Sequence, residues 1–275
     1  MGARVEAALA SLAEQLGQVP DIKNGVFDIE RLIRELPDNA VRQLVQPVME
    51  AMEWERTHKF SLLFPDEGDY RRELYRRHLE FFAVGKTFRQ RCFMAANRVG
   101  KTVAGSFEAC AHLTGDYPDW WEGRRFAPPT DGWAAGDTNE TTRDIIQKEL
   151  LGQIDYTSGA KRFDGSGMIA AEKIGRITWK QGVQDLVDTV LIKHRTGKWS
   201  RLGFKSYDQG RRVFQGTAKH FIWLDEECPL GVYEECLFRT ATTNGIIMLT
   251  FTPLLGLSET VMQFMPTNMR PGGSQ

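Results

Sequence analysis

Apolar residues recur at three- and four-residue spacing through the first twenty positions, at Val5, Leu9, Leu12 and Leu16. That spacing predicts an amphipathic helix, which Gly17 and Pro20 end. Further helical periods fill 28–56, interrupted at Pro37 and Pro47, and the stretch 62–68, with Pro65 and Gly68, reads as a loop. From Tyr70 to Phe82 the helical period returns, with arginines on one side. Nothing in this first third alternates as a strand does. Residues 1–68 are therefore expected to form a helical N-terminal appendage or lid, with a second domain over 69–275.

After Phe82 the texture changes. Short apolar runs at Arg91–Ala96, Gly132–Ala135, Val190–Lys193, His220–Leu224 and Ile246–Phe251 are strand candidates. Helical patterns lie between them at Lys101–Leu113, Asn139–Leu151 and Tyr233–Thr240. Strands alternating with helices predict an α/β domain with a mostly parallel central sheet flanked by helices. Residues 155–185 are glycine-rich and fit neither period, and 266–275 reads as a loop.

Composition narrows the classes. With 275 residues, 41% hydrophobic and a net charge of -1, the chain is neither disordered nor a uniformly basic nucleic-acid binder. No run of about 18 apolar residues is present to span a membrane, and the N-terminus lacks an apolar signal-peptide core. Cys92, Cys110, Cys228 and Cys236 form no C-x-x-C pair and are expected to be reduced thiols. The five histidines show no metal-ligand spacing.

The most specific chemistry lies in Ala95-Ala96-Asn97-Arg98-Val99-Gly100-Lys101-Thr102. It fits the phosphate-loop pattern G-x-x-x-x-G-K-[ST], with Ala95 in place of the first glycine. An apolar strand feeds the loop and a long helix leaves it. Backbone N–H groups of residues 96–102 can then wrap phosphate oxygens, and the helix N-terminus favours the anion. Gly100 allows close approach, Lys101 reaches the terminal phosphates and the Thr102 hydroxyl suits Mg²⁺. A second G-K-T, Gly85-Lys86-Thr87, has neither flank and reads as an ordinary loop.

Downstream, His220-Phe221-Ile222-Trp223-Leu224-Asp225-Glu226-Glu227 is an apolar strand ending in acids, the Walker B pattern. Asp225 is the candidate holder of Mg²⁺ and Glu226 the candidate general base. Glu227 is the alternative base; alternation along extended backbone favours Glu226. The strand Ile246–Phe251 runs into Thr250-Phe251-Thr252-Pro253, whose hydroxyls can sense a γ-phosphate; a Pro-terminated turn is the plain alternative. Together these features predict an α/β P-loop NTPase of the RecA/ASCE-like class.

The ordered set AANRVGKT, FKSYDQGRRVFQGT, IWLDEE and TFTP, over roughly residues 70–260, resembles the ATPase domain of large terminase subunits from tailed bacteriophages. The resemblance implies an ATP-hydrolysing motor that drives double-stranded DNA into a procapsid, with ATP and Mg²⁺ as cofactors. It implies a homo-oligomeric ring, usually pentameric, on the portal protein, a small terminase subunit as partner, and action in the host cytoplasm during virion assembly. Thr250 and Thr252 become coupling residues and Arg98 a phosphate sensor. Family members commonly carry an Arg before a Gly ahead of the Walker B acids. Here that place reads Phe214-Gln215-Gly216, so a trans-acting arginine falls to Arg211 or Arg212. The family's C-terminal nuclease of RNase H-like fold would begin about where this chain ends, so no nuclease activity is expected. A helicase or other translocase of the same class, and a nucleotide-binding docking module without turnover, are the competing readings.

Two segments are basic enough to grip DNA phosphates. One carries Lys193, Arg195, Lys198, Arg201, Lys205, Arg211, Arg212 and Lys219 against Asp208 alone. The other carries Arg71, Arg72, Arg76, Arg77, Lys86, Arg89 and Arg91 against Glu73 and Glu80. A solvated face or a subunit contact is the alternative for each. Arg89 and Gln90, beside the phosphate-loop strand, are candidates for holding adenine, with Phe88 or Phe82 stacking on it.

Overall fold

The apolar runs read as strands form the centre of a seven-stranded sheet. The computed structural model describes residues 2–15, 38–68, 70–157, 159–254 and 256–266. In chain order the strands are β1 (Gln90–Met94), β2 (Asp131–Gly136), β3 (Ile154–Asp155), β4 (Arg162–Phe163) and β5 (Ile174–Trp179). They continue with β6 (Val187–Lys193), β7 (Trp199–Ser206), β8 (Phe221–Asp225) and β9 (Ile246–Phe251). The large sheet has the order β1-β9-β8-β2-β7-β6-β5, and β3 and β4 pair separately. From β1 to β7 all neighbours are parallel; β6 and β5 add an antiparallel edge.

The principal helices are α1 (Ala3–Gln15), α2 (Asp38–Thr57), α3 (Arg76–Val84), α4 (Lys101–Thr114) and α5 (Leu230–Ala241). All of β8 and all of β9 are buried, because helices cover both faces of the sheet. Phe221, Trp223, Ile246 and Met248 pack with Ala104 and Phe107 of α4. The intervening Ile222, Leu224, Ile247 and Leu249 pack with Val232 and Cys236 of α5. The sheet and helix order are those of an α/β P-loop NTPase, with β9 inserted between the phosphate-loop strand β1 and the acidic strand β8.

One expectation needs correction. Pro47 does not interrupt the second helical period: α2 runs through it. A proline inside a helix costs about 3 kcal/mol. Burial of the flanking Val45 and Val48 offsets that cost, Val48 against Val5, Leu9 and Leu12 of α1. The Glu55 carboxylate further ties α2 to α1 by accepting the Gly2 and Val5 backbone N–H groups at 2.9 and 3.1 Å. The basic, glycine-containing stretch Trp199–Ser206, part of a charged run in the sequence, is a strand with Ser200, Leu202, Gly203, Phe204 and Ser206 buried. The expected end at Gly17 and Pro20, and the period over 28–37, lie outside the described residues.

Candidate nucleotide-binding site

The site sits where β1, β9 and β8 end side by side. Their parallel register puts Met94 opposite Phe251, and Asp225 opposite Thr250. β1 leads into the loop 95–100, where Arg98 (φ 62°) and Gly100 (φ 81°) both occupy the left-handed region. Such backbone turns successive N–H groups inward, and a non-glycine residue holds it at a cost of about 1–2 kcal/mol. No side chain caps the first turn of α4, so its N–H groups stay available to an anion. Ala96, Asn97, Arg98 and Val99 are exposed on this loop.

Lys101 is nine-tenths buried, yet its Nζ has two partners within the chain. It donates to the Ala96 carbonyl at 2.7 Å and to Thr252 Oγ1 at 2.9 Å. Thr252 in turn donates to Asn97 Oδ1 at 2.7 Å. Thr102 Oγ1 donates to the Asp225 carboxylate, at 3.1 Å to the nearer oxygen. Thr250 Oγ1 donates to Asp225 Oδ1 at 2.6 Å. Burial pushes the Asp225 carboxyl up to about 7, helped by the charge of Glu226 and opposed by the Thr250 and Thr102 hydroxyls. The residues singled out in three separate motifs therefore meet at one point.

Oxygen donors of this kind fit Mg²⁺, which typically takes one or two protein groups and leaves its other positions to phosphate oxygens and water. Among the described residues no group of three or more His, Cys, Asp or Glu side chains could hold a metal alone. Thr102 and Asp225 thus suit an ion brought in and shared with phosphates.

The two candidate bases differ. Glu226 is exposed and adopts φ 67°, with its N–H donated to the Thr250 carbonyl at 3.0 Å. The strand has already broken there, so simple alternation does not apply to the choice. Glu227 is half-buried near Cys92, whose thiol burial and the Glu227 charge push up to about 12. Its Oε2 is buried with no hydrogen-bond partner among the described residues.

Gln90 is not brought to the loop. It opens β1 at the far end, four residues or about 13 Å away, and its Oε1 accepts from Tyr233 at 2.7 Å. Arg89 is bonded to the Gly245 and Thr240 carbonyls, and Phe82 is 1% exposed within the core. Arg211 and Arg212 follow β7, at the same end of the parallel strands as the loop. Arg211 Nε bonds Glu235 at 3.0 Å, while Arg212 is exposed with no ion pair among the described residues.

Both basic segments are divided by the fold. Arg195 N donates to Thr114 O at the far end of α4, so the Lys193–Lys198 turn lies at the end of the sheet opposite the loop. Lys219 is buried against Asp131 at 2.8 Å. In the other segment Arg71, Arg72 and Arg77 pair with Glu73, Asp66 and Glu80, and Arg91 is buried against Glu108. Sequence reasoning missed His78 of α3: a Cβ added to Gly100 would lie 3.1 Å from its Nε2. Burial pushes its imidazole below the ordinary range, against hydrogen bonds to the backbone of Val99 and Gly100. The arginine-rich helical pattern around it gave no signal of that contact.

Residues 92–271 match the protein family described as terminase large subunit, T4likevirus-type, N-terminal. The large terminase subunit of Salmonella phage P22 is 34% identical over 258 residues, covering 87% of this chain and 49% of that protein. The chain thus spans about half the length of this curated relative. Two solved structures overlap it more loosely. The ATPase domain of the Thermus phage P74-26 large terminase has a TM-score of 0.44 at 18% identity, covering 63% of each chain. The HK97 bacteriophage large terminase has a TM-score of 0.41 at 11% identity, covering 67% of this chain and 34% of that one.

Proposed function

The chain belongs to the terminase large subunit family, and from that premise we propose that it is the ATP-hydrolysing motor domain that drives double-stranded DNA into a phage procapsid. Residues 1–68 are its helical appendage and 69–275 its ATPase domain. The observation that carries the reading is the meeting of Lys101, Thr102, Asp225 and Thr252 at the ends of β1, β8 and β9.

In this reading the N–H groups of 96–102 cradle the phosphates and Lys101 turns from Ala96 and Thr252 toward the terminal one. Thr102 and Asp225 would hold Mg²⁺, and the ion, when bound, would supply positive charge to offset that developing on the phosphate oxygens. Glu226, at the mouth of the site, orients and polarises the attacking water. Arg98 senses the phosphate, and Arg212, with its guanidinium uncommitted, is the better placed of the two arginines to reach a neighbouring subunit. Thr252, bonded to both Lys101 and Asn97, transmits the state of the loop to the segment after β9. The assembled partners are the portal protein, a small terminase subunit and further copies of this chain in a ring, within the host cytoplasm.

The test is ATP turnover by the full chain with Mg²⁺, with and without double-stranded DNA. Lys101→Ala should lose nucleotide binding. Glu226→Gln should keep binding and lose turnover by about a hundredfold or more. Normal turnover in either variant would overturn the assignment, and nucleotide binding by the wild type without turnover would favour a docking module.

A further inference from the structure

Behind the Asp225 carboxylate lies a buried circuit that none of the motifs explains. Trp223 and Asp225 are two residues apart on β8, so their side chains leave the same face of the strand. That face meets α4. A Cβ built on Gly105 would lie 2.2 Å from Trp223 Nε1 and 2.3 Å from its Cε2, so the indole rests directly on the helix backbone. Thr102, three residues before Gly105 and on the same side of α4, meets Asp225. Helix and strand therefore touch twice: at Gly105 and Trp223, and one turn on at Thr102 and Asp225.

The indole nitrogen is not idle. Trp223 Nε1 donates to Thr250 Oγ1 at 2.7 Å, and Thr250 Oγ1 donates to Asp225 Oδ1 at 2.6 Å. The direction of this relay is fixed by chemistry. An indole N–H is a donor only, so Thr250 must accept from it. The single hydroxyl proton of Thr250 is then free to point at the carboxylate and has no reason to turn back. All three residues are essentially fully buried, so water does not compete for these bonds.

We propose that Trp223 and Thr250 are positioning residues for the metal site: the indole aligns the Thr250 hydroxyl, which holds Asp225 in the orientation that offers an oxygen, beside Thr102, to the divalent ion. The proposal rests on Asp225 and Thr102 as holders of that ion. It also separates the two threonines of the Thr250-Phe251-Thr252 segment: Thr250 serves the carboxylate and Thr252 the phosphate loop.

Mn²⁺ binding, followed by electron paramagnetic resonance on the full chain with a non-hydrolysable ATP analogue, tests it. Thr250→Val keeps shape and removes the hydroxyl; Trp223→Phe removes the donor; Thr250→Ser keeps the hydroxyl. The valine and phenylalanine variants should weaken Mn²⁺ binding about tenfold or more, the serine variant by no more than about threefold. Affinity for the analogue without metal should stay at the wild-type value in all three. Wild-type Mn²⁺ affinity in Thr250→Val, or equal losses in the serine and valine variants, would overturn the proposal. Should Trp223→Phe fail to fold, the valine and serine pair alone decides. Asp225→Asn is the separate control: if it leaves Mn²⁺ binding intact, the metal site itself has been misread.

Discussion

Lys101 Nζ donates to Thr252 Oγ1 across 2.9 Å, joining the phosphate loop to the end of β9. The same ammonium also holds the Ala96 carbonyl of its own loop. Phosphates entering the loop must take Lys101 from these partners. Removing one competitor should therefore help the ligand. A hydrogen bond to a charged group is worth about 1.5–3 kcal/mol, part of which rehydration returns. Thr252→Val is expected to raise affinity for a non-hydrolysable ATP analogue about three- to tenfold by calorimetry. Weaker binding in the variant would mean that Thr252 contacts the nucleotide instead of restraining Lys101.

The sequence made the site legible wherever function depends on a local pattern. Gly100-Lys101-Thr102 between an apolar run and a helix, and an apolar run ending in Asp225, point to the right ends of the right strands. What the sequence hid depends on residues that meet only in three dimensions. Gly105 reads as a weak spot in a helix until the Trp223 indole is seen lying on it. His78 reads as part of an arginine-rich helix until α3 folds over Gly100. Charge counts along the basic segments also hide that Arg91 and Lys219 are buried with acidic partners from distant strands and helices. Gln90 is near the phosphate loop along the chain, yet the strand carries it to the far end, where it bonds Tyr233.

Gly105→Ala offers a test in which two effects have opposite signs. Helix propensity alone favours alanine by about 1 kcal/mol. The added Cβ, however, would lie 2.2 Å from Trp223 Nε1, and both residues are fully buried. Overpacking a dense core typically costs about 1–3 kcal/mol, and here the indole also gives up its bond to Thr250. The clash should win, so denaturant unfolding is expected to show net destabilisation. A more stable variant would mean that the indole moves aside freely.

Arg91 of β1 and Glu108 of α4 form a bidentate pair at 2.6 and 3.1 Å, both buried. Burial pushes the Glu108 carboxyl up, but the Arg91 charge and the His112 hydrogen bond outweigh it, and the group is held below its ordinary value. Glu108→Leu would strand the guanidinium and should cost about 3–5 kcal/mol in equilibrium unfolding. Replacing both partners, as Arg91→Met with Glu108→Leu, should recover most of that loss, because no charge is left uncompensated. A double variant no more stable than Glu108→Leu would show that the pair contributes through Arg91 alone, whose Nη1 also bonds the Phe81 carbonyl.

Asp225 should destabilise the metal-free protein as pH rises. Its carboxyl is raised from 3.8 to about 7, first by burial and then by the Glu226 charge. Between those values the unfolded chain has released the proton while the folded chain keeps it. The unfolded state then binds fewer protons, so stability falls with increasing pH across the window from about 4 to 7. Below about pH 4 both states are protonated and no penalty exists. Asparagine cannot ionise, so Asp225→Asn is expected to match the wild type near pH 4. By pH 8 it should be more stable by up to about 4 kcal/mol, because each tenfold change in the acid's ionisation constant is worth about 1.4 kcal/mol. Thermal melts of both proteins across pH 4–8 without nucleotide or divalent ion give the difference directly, with contributions from other groups cancelling. Adding Mg²⁺ and an ATP analogue should close or reverse the gap, because only the ionised aspartate holds the ion. A gap that does not change with pH would show that the carboxyl ionises at its ordinary value despite its burial.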